Sequence, residues 1–242
     1  MGIEAEAESG GELRVGVDIG GTFTDIVTVR DGSVAVNKTS STPDAPEQGV
    51  LDGLEAAREQ EGWAFGSISS LGHGTTVATN AVLEGTWAET ALLTTEGFGD
   101  VLEIGRQNRP DIYDFQVEKA APIVERDRQY EVRERLDERG AVLADLDTDS
   151  IRSVAEALRG SDVESVAICP LYAFENATHE RRVRDLLRAN GVSLPLLLSS
   201  DVLPEIREYE RTLATAMNAA LKPVMEGYIG DLGSELSQGS RE

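Results

Sequence analysis

The stretch from residue 13 to residue 29, LRVGVDIGGTFTDIVTV, constrains the fold more than any other part of the sequence. It predicts two β-strands joined by a glycine turn. Apolar residues alternate along the first strand, at Leu13, Val15, Val17 and Ile19. One face of that strand is therefore apolar, and Asp18 points to the other face.

The turn after this strand is typical of a site for phosphate groups. Gly20 and Gly21 can adopt positive φ angles and turn backbone N–H groups toward an anion, and Thr22 and Thr24 add hydroxyl donors. Asp18 is suited to hold a hydrated Mg²⁺ against phosphate oxygens, because that ion prefers few carboxylates and several waters. The alternative is an ordinary β-hairpin, in which glycine makes the turn and threonine favours the strand. Because the glycines lead into a strand rather than a helix, the pattern favours an actin-like or sugar-kinase-like ATP site over a Walker or dinucleotide motif.

Charge limits the partners of the chain. Its 242 residues carry 44 Asp and Glu against 22 Lys and Arg, a net charge of −22, which makes nucleic acid and anionic membranes poor partners. Lysine occurs only at positions 38, 119 and 222, and this scarcity with the acidity leads to the hypothesis of a halophilic protein. Residues 1–12 are expected to be a disordered acidic arm and lack the features of a signal peptide, so we expect a cytoplasmic protein.

The rest of the chain alternates between strands and helices. A third strand is predicted around Val34 and Val36, and a helix is opened by Pro43, Asp44 and Pro46. Further predicted elements are a strand at 68–71, a helix at 75–84, a strand at 90–94, a helical turn at 98–104, a hairpin of 130–136 with 141–143, a helix at 148–159, a strand at 165–169, a helix at 176–189, a strand at 194–198, and a helix from 205 kinked by Pro223. This order predicts an α/β protein with a mixed sheet of the ribonuclease H type and flanking helices, as in actin-like ATPases, which place ATP between two such domains.

A second candidate site lies at residues 72–76, GHGTT, where a predicted strand meets the N-terminus of a helix. Free N–H groups and the positive end of the helix dipole favour an anion or a polarised carbonyl there. His73 titrates near neutral pH and suits a proton carrier. The alternative is structural: Thr75 caps the helix, Gly74 makes the turn and His73 is a hydrogen-bonding group of the scaffold.

Residues 105–109, GRQNR, place Arg106 and Arg109 in a predicted loop. Guanidinium groups bind carboxylates or phosphates, so both arginines are candidate substrate-binding residues, with surface salt bridges as the alternative. The single cysteine, Cys169, ends an apolar strand and is expected in the core. His179 follows Asn176 by three positions at the start of a predicted helix, which is typical of capping rather than of metal binding.

These motifs, taken in order, resemble the hydantoinase/oxoprolinase family, specifically the N-terminal part of its ATP-using, hydantoinase A-type subunit. The matching stretches are GVDIGGTFTD at 16–25, KTSSTP at 38–43, HGTTVATNA at 73–81, TTEGFGD at 94–100, GRQNRP at 105–110 and ERLD at 134–137. YERT at 209–212 with NAAL at 218–221 looks like the opening of the family's next domain. The resemblance implies one domain at 13–203 and the truncated start of a second at 204–242.

The resemblance also implies an activity. The family cleaves cyclic amides such as hydantoins and 5-oxoproline with hydrolysis of ATP, and related members are subunits of acetone-type carboxylases. The implied step is phosphoryl transfer from ATP, with Mg²⁺, to the ring carbonyl oxygen. By resemblance, Asp18 would hold Mg²⁺ through water, Gly20, Gly21, Thr22 and Thr24 would contact the β- and γ-phosphates, His73, Thr75 and Thr76 would lie on the reacting side, and Arg106 or Arg109 would hold a substrate carboxylate.

The length of the chain departs from the family pattern. An actin-like site needs a second phosphate hairpin and an adenosine pocket, and nothing after Gly230 supplies them. We therefore expect a fragment that needs a missing C-terminal portion, and a hydantoinase B-type subunit as a further partner. Two alternatives to the cyclic amide hydrolase stay open: a subunit of an acetone-type carboxylase, and a noncatalytic module that binds a nucleotide or docks to a partner subunit.

Overall fold

A computed structural model of the protein describes residues 12–42, 45–108, 113, 116 and 121–239. These residues divide into two compact units. The first unit comprises the described residues up to Gly85 together with those from Met225 onward, and the second unit is Thr86–Val224. The domain boundary predicted at residues 203 and 204 coincides with neither junction, and that division stays a prediction.

The first unit is built on a four-stranded mixed sheet. Its strands are β1 (Leu13–Ile19), β2 (Phe23–Arg30), β3 (Ser33–Ser40) and β4 (Ile68–Thr75), in the order β3-β2-β1-β4. Strands β1 and β4 are parallel, whereas the other neighbouring strands are antiparallel. Helix α1 (Pro46–Glu61) links β3 to β4, and helix α2 (Val77–Glu84) follows β4.

The alternation in β1 decides which face of this sheet is buried. Val15, Val17 and Ile19 pack in one apolar cluster with Val50 and Leu54 of α1. The intervening side chains, Asp18 among them, lie on the opposite face, because successive residues of a strand point to opposite sides of the sheet. The apolar face thereby fixes the register of the hairpin and leaves Asp18 exposed.

The second unit is built on an all-parallel sheet. Its strands are β5 (Thr90–Thr95), β6 (Gln129–Val132), β9 (Ser165–Cys169) and β10 (Leu196–Leu198), in the order β10-β9-β5-β6. Every residue of β5 and β9 is buried, as expected for parallel strands covered on both faces. The other elements are α3 (Val101–Ile104), the short hairpin of β7 (Arg135–Leu136) and β8 (Val142–Ala144), α4 (Thr148–Arg159), α5 (Thr178–Ala189) and α6 (Ser199–Val202).

The last helix, α7 (Glu208–Gly239), contributes residues to both units and includes Pro223. Its buried residues in the second unit include Arg211, Thr215 and Ala219, which are spaced four residues apart and therefore share one side of the helix. Among the helices of the described residues, none is both long and apolar enough to cross a bilayer.

The structure confirms the α/β class and the mixed sheet with flanking helices. The alternating second half of the chain, however, forms a parallel sheet of its own. The predicted strand 130–136 is wrong: residues 129–132 pair with β5, and only Arg135–Leu136 join the hairpin. The break lies at Glu134, whose side chain turns inward to buried partners. Conversely, β4 runs on to Thr75, because Gly72 and Gly74 pair in the ladder with β1 instead of ending the strand.

Candidate functional site

The hairpin loop between β1 and β2 is held from both ends. The Gly20 N–H donates to the Phe23 carbonyl oxygen at 2.9 Å, and the Ser41 hydroxyl donates to the Gly20 carbonyl oxygen at 2.7 Å. The Ser41 N–H donates to the Thr22 carbonyl oxygen at 3.0 Å. The end of β3 therefore fixes the loop that β1 and β2 share.

Neither Gly20 nor Gly21 uses the positive φ angle that glycine can adopt. The N–H of Gly20 is also already used within the hairpin. Gly20 is needed for space instead, because a Cβ there would lie 3.2 Å from the Phe23 carbonyl oxygen. Gly21 faces open space, and Thr22 is exposed, so these two residues are the part of the loop available to a ligand.

Asp18 lies at the end of β1 on the exposed face of the sheet. Its neighbours across the sheet are Asp25 on β2 and Gly74 on β4. A Cβ at position 74 would lie 3.1 Å from the Asp18 carboxylate oxygen, so the glycine provides the space that the carboxylate occupies. The arrangement is an accessible carboxylate beside an open loop, and it can coordinate a hydrated cation.

Thr24 does not join this site. It pairs with Ile19, so it lies on the buried face, opposite to Asp18. Its hydroxyl lies 3.1 Å from the hydroxyl of Ser41 and is completely buried. The physical reason is that Thr22 precedes β2 and does not follow its alternation, whereas Thr24 lies within the strand and shares the buried face with Ile26. Thr24 therefore stabilises the loop from the buried face of the sheet, through its contact with Ser41.

The structure also separates His73 and Thr75 from Asp18. His73 pairs with Val17, and Thr75 with Ile19, so both lie on the apolar face. The imidazole Nε2 contacts the Tyr228 hydroxyl of α7. Burial lowers the pKa of His73 below its usual value, while a backbone hydrogen bond with Val17 and the charge of Asp18 act in the opposite direction.

Thr75 and Thr76 have structural hydrogen bonds at the end of β4. The Thr75 hydroxyl oxygen accepts the Val77 N–H at 3.2 Å, at the start of α2, although the residue at the N-cap is Thr76, whose side chain makes no capping bond. The Thr76 hydroxyl donates to the Ile19 carbonyl oxygen at 3.3 Å. The structural alternative is met for His73, which contacts Tyr228, but not for Gly74, which pairs in the strand, or for Thr75, because Thr76 is the residue at the N-cap of α2. His73 and Thr75 add no side chain to the exposed face that carries Asp18, and the roles of His73, Thr75 and Thr76 on the reacting side stay predictions.

Arg106 lies in the second unit, and Arg109 lies outside the described residues. The Arg106 Nε donates to Glu210 Oε1 at 2.8 Å, and this ion pair lowers the pKa of Glu210. Arg106 lines a cavity of about 820 Å³ together with Leu102, Tyr209 and Leu213. A substrate carboxylate at Arg106 would therefore compete with Glu210.

Two buried carboxylates of the second unit, those of Glu134 and Glu180, were not predicted from the sequence. Glu134 accepts from the Thr95 hydroxyl and lies 2.7 Å from His179 Nδ1. The Asn176 side-chain oxygen accepts the Thr178 N–H at 3.0 Å, but the capping predicted for Asn176 and His179 is wrong, because the residue at the N-cap of α5 is Ala177 and no side chain caps the helix. The side chain of His179 is buried against Glu134. No local pattern marks Glu134 as buried, since its partners are distant in sequence.

The second buried carboxylate, Glu180, accepts from the Ser199 N–H at 2.7 Å and the Ser199 hydroxyl at 2.6 Å. The buried guanidinium of Arg211 donates to the same hydroxyl, to Glu208, and to the Pro170 carbonyl oxygen at 3.0 Å. The four-residue spacing of Arg211 with Thr215 and Ala219 is the one sequence signal that could have placed this arginine in the core.

Cys169 is buried, as predicted, and burial raises the pKa of its thiol to about 12. Such a thiol is uncharged at neutral pH and is a core residue rather than a nucleophile. Within the described parts of the chain, no three His, Cys, Asp or Glu side chains form a group that could hold a metal ion by themselves. A cation at Asp18 would thus depend on water and ligand oxygens.

Comparison with known proteins identifies several relatives of the chain. The chain is 38% identical over 221 residues to an uncharacterised protein of Methanocaldococcus jannaschii, covering 89% of this chain and 32% of that protein. It is 33% identical to the acetophenone carboxylase gamma subunit of Aromatoleum aromaticum, over 89% of this chain and 32% of that subunit. It is also 33% identical to the caprolactamase subunit alpha of Pseudomonas jessenii, over 90% and 32% respectively. The chain thus spans about a third of the length of these relatives.

Two solved structures share the fold. The ATP-dependent caprolactamase of Pseudomonas jessenii matches with a TM-score of 0.86 and 32% identity, over 94% of this chain and 34% of the matched one. A nucleotide-free acetone carboxylase matches with a TM-score of 0.81 and 24% identity, over 96% and 35% respectively, which shows a common fold. The family model of the hydantoinase/oxoprolinase N-terminal region matches residues 14–191, and the chain belongs to that family.

Proposed function

We propose that the chain is the N-terminal, nucleotide-binding portion of an ATP-dependent hydrolase of cyclic amides. The observation that carries the proposal is the exposed Asp18 carboxylate beside Gly74, at the open end of the hairpin loop. The likeness to a caprolactamase subunit, and to the structure of an ATP-dependent caprolactamase, supports the reaction class. The share of about a third of each relative supports the further proposal that other polypeptide is needed for turnover.

Asp18 would hold Mg²⁺ through a bridging water. The donor set fits this ion, since a single exposed carboxylate leaves room for the several waters that Mg²⁺ keeps. The neighbouring carboxylate of Asp25 forms an ion pair with Lys38, whose Nζ lies 2.5 Å from its Oδ1. Asp18 is thus the better candidate of the two for a cation brought in with a phosphate chain.

The loop would orient the phosphate groups of ATP. Gly21 offers an unobstructed backbone, and Thr22 an exposed hydroxyl. Gly20 and Thr24 would act by holding the shape of the hairpin, given their hydrogen bonds to Phe23 and Ser41. When bound, ATP would supply the phosphoryl group that makes the ring carbonyl carbon easier for water to attack.

We also propose that Arg106 binds a substrate carboxylate, but only in exchange for its present partner, Glu210. Its guanidinium is about two-thirds exposed but already paired with Glu210. Exchange of Glu210 for a substrate carboxylate would release one ion pair as it forms another, so the net gain in binding free energy would be small. A substrate with no carboxylate, such as a simple lactam, would not need this exchange.

The test is an assay of the chain together with the polypeptides encoded beside its gene. We expect ATP hydrolysis to be stimulated by hydantoin, 5-oxoproline or a simple lactam, with the ring-opened acid as product. Replacement Asp18→Ala in that preparation should abolish ATP turnover while the circular dichroism spectrum is unchanged. Retained turnover in the Asp18→Ala protein would refute the role given to Asp18.

A carboxylase subunit is the second candidate, favoured by the likeness to the acetophenone carboxylase gamma subunit. The same preparation distinguishes the two: ATP hydrolysis stimulated by acetone or acetophenone with bicarbonate, and by no cyclic amide, would establish carboxylation. A noncatalytic module is the third. Micromolar binding of Mg·ATP to this chain in calorimetry, with no turnover in any preparation, would support that function.

A further inference from the structure

One row of side chains crosses the exposed face of the first sheet at the level of Asp18. The pairing of the strands places Lys38 of β3 next to Asp25 of β2, Asp25 next to Asp18 of β1, and Asp18 next to Gly74 of β4. Partners in such a row share a face of the sheet. Lys38 and Asp18 are therefore two strand spacings apart, roughly 10 Å between their Cα atoms.

The side chain of Lys38 is directed along this row toward Asp18. Its Nζ lies 2.5 Å from the Oδ1 of Asp25, the residue between the two, and 5.0 Å from the centre of the Phe23 ring. The carboxylate and the ring thus hold the ammonium group at the hairpin end of the sheet, with about half of the side chain exposed.

The described residues of the first unit contain few cations that could neutralise a phosphate chain. They are Arg14, Arg30, Lys38 and Arg58. Arg14 pairs with Glu12 and lies four residues from Asp18 along β1, about 13 Å. Arg58 lies on α1 and pairs with Glu55. Arg30 is the last residue of β2 and lies at the end of the strand away from the loop between β1 and β2. Within this part of the chain, Lys38 is the cation in the row of Asp18.

We propose that Lys38 binds the terminal phosphates of the nucleotide whose magnesium is held by Asp18, and that Asp25 positions its ammonium group. The proposal rests on the proposed function, because it assigns a second ligand to the same site. A compact ammonium group is a common phosphate ligand, and an acidic protein needs a local positive charge to bind a polyanion. The ion pair with Lys38 also neutralises Asp25, whose negative charge would otherwise repel the phosphates.

The test is an NMR titration of the 242-residue chain with magnesium tripolyphosphate, which detects dissociation constants in the millimolar range. Lys38→Met should weaken binding about tenfold, and Lys38→Arg should restore most of it. Arg14→Met is the matched control, since it removes the same charge from the same face and should change the affinity less than twofold. The melting temperature of each variant shows that the fold is retained.

The outcomes separate this proposal from the proposed function. Weak binding by Lys38→Met and normal binding by Arg14→Met support the proposal. Normal binding by Lys38→Met, with binding lost in Asp18→Asn, overturns the role of Lys38 and leaves the Asp18 site standing. An equal loss of affinity in Lys38→Met and Arg14→Met would show that only the net charge of the chain matters, and this result also overturns the role of Lys38. Absence of binding by the wild-type chain overturns both.

Discussion

Replacement of Gly74 by alanine should separate nucleotide binding from stability. A Cβ at this position would lie 3.1 Å from the Asp18 carboxylate oxygen, about 0.3 Å closer than an ordinary contact. Because Asp18 is exposed, its carboxylate can yield by that amount. The φ angle of Gly74 is not positive, so alanine is compatible with the backbone and should stabilise the protein by about 0.4–1 kcal/mol through the unfolded state.

The effect on magnesium binding can be estimated from Coulomb's law. A carboxylate and Mg²⁺ joined through a water, about 4 Å apart, attract each other by about 8 kcal/mol at an effective dielectric constant of about 20. A retreat of about 0.3 Å lowers this by about 0.6 kcal/mol, a loss of affinity of about threefold. Rotation of Asp18 to a different rotamer would increase the loss.

Gly72→Ala is the control on the same strand and the same face. Its Cβ would meet nothing closer than the Val15 carbonyl oxygen at 4.0 Å. Calorimetry with Mg·ATP should give unchanged affinity for Gly72→Ala and an affinity at least threefold lower for Gly74→Ala, with melting temperatures at or above that of the wild type in both. Equal affinities in all three proteins would refute the assignment of Asp18 as the magnesium ligand.

Three further predictions concern the scaffold. Arg211→Met should lower the free energy of unfolding by about 1–3 kcal/mol in urea titrations, because it leaves the Pro170 carbonyl oxygen without this buried donor and the partly buried Glu208 without its ion pair, whereas Arg184→Met, at an exposed ion pair, should change it by less than about 0.5 kcal/mol. The Cys169 thiol should react with a disulfide reagent only after unfolding, and rapid modification of the native protein would contradict its burial. Because burial depresses the pKa of His73, the unfolded state binds more protons between that pKa and about 6.5, so stability should fall as the pH is lowered through this range. This fall in stability should be smaller in His73→Gln, and identical profiles of stability against pH in His73→Gln and the wild type would contradict the prediction.

Much of the fold could be predicted because its elements carry local signals. The alternation at Leu13–Ile19 set the hairpin register. The helix predicted at 148–159 has the bounds that the structure has, Thr148–Arg159. The division of the strands between two sheets could not be predicted, since it depends on long-range pairing of β5 with β6 and β9. The start of β10 at Leu196, after Pro195, reflects the missing N–H of proline.

The positions of the candidate residues could be predicted in part, and their roles stay predictions. Asp18 and the loop could be placed from spacing, but the face on which Thr24, His73 and Thr75 lie required the register of the sheet. The residues of a motif are neighbours in sequence, whereas a strand sends every second one to the opposite face. Halophilic adaptation, to be checked by melting in low and molar KCl, stays a prediction from composition.

Binding of a magnesium–triphosphate group by Asp18 and the loop after β1 is tested most directly by paramagnetic broadening. Mn²⁺ replaces Mg²⁺ in the complex with ATP, and amide signals of the ¹⁵N-labelled chain close to the ion broaden. We expect broadening centred on residues 18–22 and Gly74, abolished by Asp18→Asn. Broadening centred on another part of the chain, or unchanged in Asp18→Asn, would contradict the proposed site.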